Sequence, residues 1–309
     1  MGNASALALP SGLTVLERGW LSSNNILICG HHSGALIDSG YCTHSAQTLQ
    51  LVDSVLQGRA LDLLLNTHLH SDHCGGNAAL QARYPAMQTL IPPGQAPQVA
   101  AWDEARLSYQ ATGQTCPPFV FAATLQPGTD VQLGDLAWQV HAAPGHDTHS
   151  VLLFEPVSRV LVSADALWQR GFGVVFPELD GEEGFDAVGQ TLDVIASLQP
   201  RVVIPGHGAP FTDVSEALAR ARERLRGFAS DPARHLQHAA KVLLKFKLLE
   251  WQTVSQANLL AWAQATPYVA RLLAGLYPAR TLAQALQALA QELVRAGAAT
   301  LQGGQLHNA

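Results

Sequence analysis

The chain has 309 residues, too many for one small module, and 48% of them are hydrophobic against 14% charged. That is ample apolar material for a core and excludes a disordered chain. A formal net charge of −6 argues against a protein devoted to nucleic acid, and no apolar run is long enough to span a bilayer.

In chain order, residues 25–29 and 35–37 are short apolar runs that predict strands around a turn at 30–34. Residues 45–56 place Leu49, Val52 and Leu56 at helical spacing. Residues 61–65 read as a buried strand that delivers the chain into a histidine-rich segment. A helical stretch at 76–84 and a proline- and glycine-marked loop at 91–97 follow. Strands are expected at 131–133, 138–141, 151–154 and 160–163. A helix over 184–198 carries Phe185, Val188, Leu192 and Ile195 on one stripe, and a buried strand at 201–204 ends at Pro205-Gly206.

After Ser215 the composition turns to Ala- and Leu-rich helices, so the chain divides into residues 1–214 and residues 215–309. Thr281 can cap a helix running to Arg295, with Gly297 as its terminator. Residues 299–306 read as a hairpin around Gly303-Gly304. Helices followed by a hairpin suggest a winged-helix-like unit. The three lysines (Lys241, Lys245, Lys247) crowd into one stretch behind a run of arginines from Arg220 to Arg234. That run is either a solvated helix face or a patch that draws an anionic substrate.

The chemistry is concentrated in Thr67-His68-Leu69-His70-Ser71-Asp72-His73. Imidazole and carboxylate donors hold borderline divalent metals. In an extended chain His68 and His70 point to one side, and Asp72 and His73 can face a second metal. His146, Asp165 and His207 each follow a strand-like run, preceded by a glycine or small residue that lets the backbone turn. Four such segments together outweigh the reading of each as merely structural.

These motifs resemble those of the metallo-β-lactamase superfamily over about residues 20 to 210. Residues 35–40 are similar to its early motif, in which an aspartate, here Asp38, braces the metal loops. The resemblance implies an α/β fold, an αββα sandwich with the metals at one sheet edge, followed here by the C-terminal helical, winged-helix-like extension. It implies that His68, His70 and His146 hold one metal and that Asp72, His73 and His207 hold the other, with Asp165 bridging. Two divalent cations, zinc first and iron or manganese as alternatives, would share a hydroxide whose pKa is lowered toward neutrality. That hydroxide would attack a carbonyl or phosphorus centre, with Asp72 orienting it or moving its proton.

The stretch after Asp165 is apolar and glycine-rich and offers Trp168, Phe172 and Phe176 as pocket-lining residues, ordinary core or subunit contact being the plainer reading. It resembles the corresponding stretch of glyoxalase II-type thioesterases. Phe172 and Val174 stand where that family commonly has cysteine and arginine, and the family's Glu-Tyr-Thr after the last histidine is missing. His149 is a candidate general acid or a hydrogen-bonded support. The expected activity is cleavage of an ester or thioester in a small acyl substrate. Lys241 and Lys245 are carried as substrate contacts, since a basic stretch beside a terminal hairpin also suits a single-strand RNA phosphodiesterase. A non-catalytic metal-bound sensor is the third reading.

The four cysteines form no CxxC pair and read as reduced thiols. Residues 1–20 show no signal-peptide pattern, and Met1-Gly2 lacks the Ser or Thr at position 6 that myristoylation wants. A cytoplasmic protein with no membrane association is expected, with homodimerisation left open.

Overall fold

The computed structural model describes residues 9–309, so the Met1-Gly2 reading lies outside the described residues. One sheet carries β1 (Leu13–Leu16), β2 (Asn25–Cys29), β3 (Gly34–Ile37), β4 (Leu63–Leu65), β5 (Gln88–Ile91) and β6 (Ala123–Thr124) in sequence order. Its first three strands are antiparallel and the rest join β3 in parallel. A second sheet holds β7 (Asp130–Leu133), β8 (Leu136–Ala142), β9 (Val151–Glu155), β10 (Val160–Ala164) and β11 (Val202–Pro205), ordered β11-β10-β9-β8-β7. Only its β10–β11 pair is parallel.

Alternation along the strands builds the layers. Ile26, Ile28, Ile37 and Leu65 of the first sheet meet Trp138, Val140, Leu153, Val162 and Ile204 of the second in one core. Leu27, Leu36 and Leu64 face the other way, onto Val52 and Leu56 of helix Ser45–Leu56 and Leu80 of helix Asn77–Arg83. Helix Gly184–Leu198 buries Phe185, Val188, Leu192 and Ile195 at the expected spacing. Its Thr191 hydroxyl donates to the Pro144 carbonyl, 2.7 Å away, just beyond β8. Trp138 is fully buried at the centre, and truncating such a side chain to alanine costs about 3–5 kcal/mol.

Among the strands of these two sheets, β1, β5 and β6 escape the sequence pattern. β1 and β5 are four residues each, and each is defined by remote pairing, with β2 and with β4 and β6 respectively. The stretch 91–97, read from sequence as a loop, instead closes β5, makes a 3-10 turn at Pro93–Gln95 and enters helix Ala96–Ala101. Pro97 suits that entry because the first helical N–H groups need no partner within the helix.

The chain divides into two compact units. The first comprises the described residues through Trp102 together with Cys116–Leu225, and the second comprises Asp103–Thr115 with Arg226–Ala309. The dividing point therefore falls inside helix Val214–Ser230, beyond the composition shift at Ser215. The second unit holds helices Pro232–Trp251, Gln256–Ala265, Pro267–Leu276 and Leu282–Arg295. A small sheet of β12 (Thr253–Ser255), β13 (Ala299–Gln302) and β14 (Gln305–Asn308), ordered β12-β14-β13, completes its winged-helix-like form. Thr281 closes a capping box: its hydroxyl accepts from the Gln284 amide at 3.3 Å and its own amide donates to Gln284 Oε1 at 3.0 Å. Gly303 and Gly304, at φ of 57° and 76°, supply the two-residue turn of the β13–β14 hairpin. No described helix is long and apolar enough to cross a membrane.

Candidate metal centre

The loops that leave β3, β4, β8, β10 and β11 converge in the first unit. Asp38 follows β3 at a φ of +57°, a left-handed conformation that a short polar side chain tolerates. Its Oδ1 accepts from the Thr67 amide (2.9 Å), and its Oδ2 accepts from the Thr67 hydroxyl and from His73 Nδ1 (2.8 Å each). Asp38 thus fixes the tautomer of His73 and aims its Nε2 inward.

Two further loops are shaped by the backbone, one by its conformation and one by its space. Ala164 sits at φ +45°, where β10 breaks register against β11, and this turns Asp165 into the site. Gly206 must be glycine for reasons of space, because a Cβ there would overlap Asp165 Oδ1 and lie 3.0 Å from His73 Cε1.

Among the described residues, two donor groups form. One is His68, His70 and His146, and the other is Asp72, His73, Asp165 and His207, with ligand atoms all within 4.8 Å of one another in each. In the first, His68 Nε2 lies 3.1 Å from His70 Nδ1, which lies 2.8 Å from His146 Nε2. His146 Nδ1 donates to the Val174 carbonyl at 2.6 Å, so its Nε2 presents a bare lone pair. In the second, His207 Nε2 is 3.1 Å from Asp72 Oδ2, and His73 Nε2 is 3.5 Å from Asp165 Oδ1 and 3.9 Å from Asp72 Oδ2. Asp165 turns its other oxygen to the first group, 3.4 Å from His146 Nε2.

This arrangement fits divalent metal ions. Two donors bound to one tetrahedral cation at about 2.0–2.2 Å lie about 3.4 Å apart, the range seen here. His73 Nε2 is buried and has no hydrogen-bond partner among the described residues, a costly state unless a cation accepts its lone pair. Without such a charge the buried histidines oppose one another. Burial, then the neighbouring His73, His70 and His146, hold the His68 imidazole well below its usual range. Burial and His70 bring His146 down to about 4. Burial also opposes charge on His73, but Asp38, Asp165 and Asp72 together outweigh it and raise its pKa. Burial disfavours ionised Asp165, yet His207, His73 and His146 hold its carboxyl well below the carboxylate range.

Aromatic rings flank both groups. Phe176 stands edge-on to His70 (5.1 Å between centroids) and His146 (5.7 Å). Trp168 Nε1 donates to Asp165 Oδ1 at 3.2 Å, and its ring meets that of His207 at 5.7 Å. Phe172, a candidate lining residue by sequence, is instead buried, with the Arg224 guanidinium 5.6 Å from its ring centroid. His149 joins neither donor group. Its amide donates to Asp147 Oδ1 at 2.7 Å, and its ring packs so closely on Gly94 that a Cβ there would overlap it.

Lys241 and Lys245, carried from the sequence as substrate contacts, have their ammonium groups occupied inside the second unit. Lys241 pairs with Glu292 at 2.8 Å, and Lys245 donates to the Ala298 carbonyl and Asn308 Oδ1 at 2.6 Å and to the Ala309 carbonyl at 3.0 Å. Lys247 donates to the Gly113 carbonyl and Glu250.

Three participants were not identified from the sequence. Asp147 Oδ2 lies 3.8 Å from His70 Nε2. Asn24 ties the segment before β2 to the last metal loop, its amide donating to the Gly206 carbonyl (2.7 Å) and its Nδ2 to Pro205 and Gly208. Trp20 stacks on His207. Asn24 and Trp20 are joined to their partners by tertiary structure rather than by spacing, whereas Asp147 stands right after His146, a place that could have flagged it.

An αββα sandwich with two carboxylate-linked His/Asp groups at the strand ends defines a metal-binding hydrolase-type scaffold. The chain belongs to the metallo-beta-lactamase superfamily, whose family model matches residues 18–207. It is similar to a hydroxyacylglutathione hydrolase of Brucella anthropi, 26% identical over 177 residues, 57% of this chain and 55% of that one. The chain thus spans about half the length of that curated relative. Among solved structures it is similar to a metallo-beta-lactamase family protein from Thermus thermophilus (TM-score 0.58, 20% identity, 98% of this chain and 100% of that one). Another similar structure was solved in a di-iron-bound form (TM-score 0.54, 25% identity, 67% of this chain and 98% of that one).

Proposed function

We propose that this protein is a dinuclear metal-dependent hydrolase that cleaves an ester or thioester bond in a small acyl substrate. The observation that carries the reading is Asp165, whose two oxygens face two separate donor groups, 3.4 Å from His146 and 3.5 Å from His73. His68, His70 and His146 would hold one cation and Asp72, His73 and His207 the other, with Asp165 shared. Bound there, a cation pair supplies Lewis-acid polarisation and a water acidic enough to serve as nucleophile near neutral pH.

The chain's own groups supply the rest. Asp72 is held by His207 on one oxygen (3.1 Å), and its neighbours keep it below the usual carboxylate range: burial opposes its charge, while His73 and His207 favour it. An ionised, partly exposed carboxylate at this position can receive the proton of an attacking water and pass it to a leaving group. Asp38 holds His73 in register, and Phe176 and Trp168 limit water around the donors.

Acyl hydrolysis is favoured by the similarity to hydroxyacylglutathione hydrolases, which are named for a glutathione thioester. Zinc is the first metal to load, given five imidazole donors, and the di-iron relative makes iron the second. The test is a panel of thioesters, aryl esters, lactones and a phosphodiester, assayed with chelator and after reloading with zinc, iron or manganese. Chelator-sensitive cleavage of the acyl substrates is expected. Activity that survives full metal removal, or cleavage of the phosphodiester alone, would overturn the reading.

A further inference from the structure

Trp20 is a large apolar side chain left 56% exposed, although its neighbours Leu21, Ser22, Ser23 and Asn24 are buried. It is the sole aromatic among the large hydrophobic residues exposed in the described chain, the others being Val120, Val157, Val242 and Leu301. Its indole lies nearly parallel to the His207 imidazole, 11° between planes with centroids 5.3 Å apart. It also meets Trp168 edge-to-face at 5.3 Å. Seated on a candidate ligand, the exposed indole leaves apolar surface open beside the donor groups, and covering it would be favourable.

The ring is held in place by the segment that carries it. The Ser23 amide donates to the Asp72 carbonyl at 2.9 Å, the Asn24 amide to the Gly206 carbonyl at 2.7 Å, and the Arg18 amide to Asn24 Oδ1 at 2.9 Å. Trp168 is fixed independently, by a two-residue turn in which its amide donates to the Gly171 carbonyl at 2.7 Å. Of the basic side chains near these two segments, Arg170 lies exposed on the Trp168 turn beside Gln169 and Arg220, while Arg18 and Arg220 are engaged elsewhere. Arg18 donates to Asn25, Thr48 and Gln47, and Arg220 to Asp213, Glu216 and the Gln169 carbonyl. What Trp20 and Trp168 themselves offer a substrate is a rigid, flat, apolar surface.

We infer that Trp20, braced by Trp168, is a specificity-determining residue that stacks on a planar apolar acyl group next to the reacting carbonyl. The substrate class is an arylacyl or similarly flat apolar acyl ester or thioester, preferred over short polar hydroxyacyl groups. This rests on the hydrolase reading for its catalytic half only. Stacking on Trp20 needs the ring and its platform, whereas hydrolysis needs the donor groups. An indole face stacked on a second aromatic ring is worth a few-fold to about tenfold in affinity.

The test compares Trp20→Ala and Trp20→Phe with the parent protein, all loaded with zinc. Steady-state kinetics use phenylacetyl, acetyl and glycolyl thioesters of one leaving thiol, and calorimetry measures equilibrium binding of phenylacetate against acetate. For Trp20→Ala the expected result is a KM about 3- to 10-fold higher for the phenylacetyl substrate alone, with kcat little changed. Phenylacetate binding should weaken by a similar factor, acetate binding should hold, and Trp20→Phe should recover most of the loss. An equal loss on all three acyl groups, or a fall in zinc content, makes Trp20 a structural cover for His207 and overturns the inference. A parent protein that cleaves no ester or thioester yet binds phenylacetate through Trp20 overturns the hydrolase reading and leaves the stacking role standing. Cleavage with unchanged acyl preference in Trp20→Ala does the reverse.

Discussion

The donor groups of the first unit and the lysines of the second are satisfied in opposite ways. In the first, His68, His73, Asp165 and His207 are nearly inaccessible, yet their facing atoms are lone pairs and like partners that satisfy one another poorly. In the second, Lys241, Lys245 and Lys247 are drawn toward the interior, and each ammonium group is bonded to a named acceptor. Burial of a polar group costs several kcal/mol unless it is paired. Satisfied groups are therefore part of how a unit folds, whereas a cluster of poorly satisfied ligating atoms marks where a cation would bind.

That contrast can be broken experimentally, most severely at Asp165. Asp165→Ala should lose at least about 1,000-fold in kcat/KM on any acyl substrate the parent cleaves, because several kcal/mol of charge stabilisation disappear. Zinc stoichiometry measured alongside should fall below that of the parent, and retained activity would show that the first unit's donors are structural. Next comes Asp38→Asn, which leaves His73 without its carboxylate. Metal affinity in a competition titration with a chromophoric chelator should drop about 10- to 100-fold, and an unchanged affinity would remove Asp38 from the site.

Lys245→Met probes the other side of the comparison. Three acceptors lose an ionised donor, which should cost about 1–3 kcal/mol in urea unfolding, while metal affinity stays constant. A change in metal affinity would dissolve the distinction between the units. The smallest effect belongs to Lys241→Met, under about 1 kcal/mol because the pair is partly solvated. Its signature is in the pH dependence. Burial opposes charge on Glu292, but Lys241 and Tyr277 together keep its carboxyl below the usual range. A carboxyl depressed in the folded state contributes stability above its unfolded pKa and loses it as pH falls through the folded value. The gap between parent and variant should therefore be full near neutrality and close in acid. A gap that widens in acid would contradict the Glu292 pairing.

The same contrast explains what was legible in the sequence. His68, His70, Asp72 and His73 stand on one short string, and His146, Asp165 and His207 each follow a strand, so local pattern was enough to group them. The helices 45–56, 184–198 and 282–295 were readable from their apolar stripes. Strands β1 and β5 were not, since four residues carry little periodicity and their identity comes from partners. The lysine stretch was visible, but its meaning was not. Lys241 and Lys245 are one helical turn apart and meet Glu292, Ala298 and Asn308, which no local spacing discloses. The same holds for Trp20 and His207, and for Cys74 and Cys116, whose buried sulfur atoms lie 3.7 Å apart although no CxxC links them.

Residues 103–115 leave the first unit's run of sequence and are built into the second. There Leu107 and Tyr109 are buried, and the Gly113 carbonyl accepts from Lys247. The second unit is therefore discontinuous, and no single cut can excise it. A truncation ending near residue 225 would strand that inserted stretch with its apolar side chains uncovered, in the middle of the chain that carries the metal donors. Loss of solubility or turnover in such a fragment would report on orphaned packing, and point substitutions on the intact chain are the cleaner way to ask what the tail contributes.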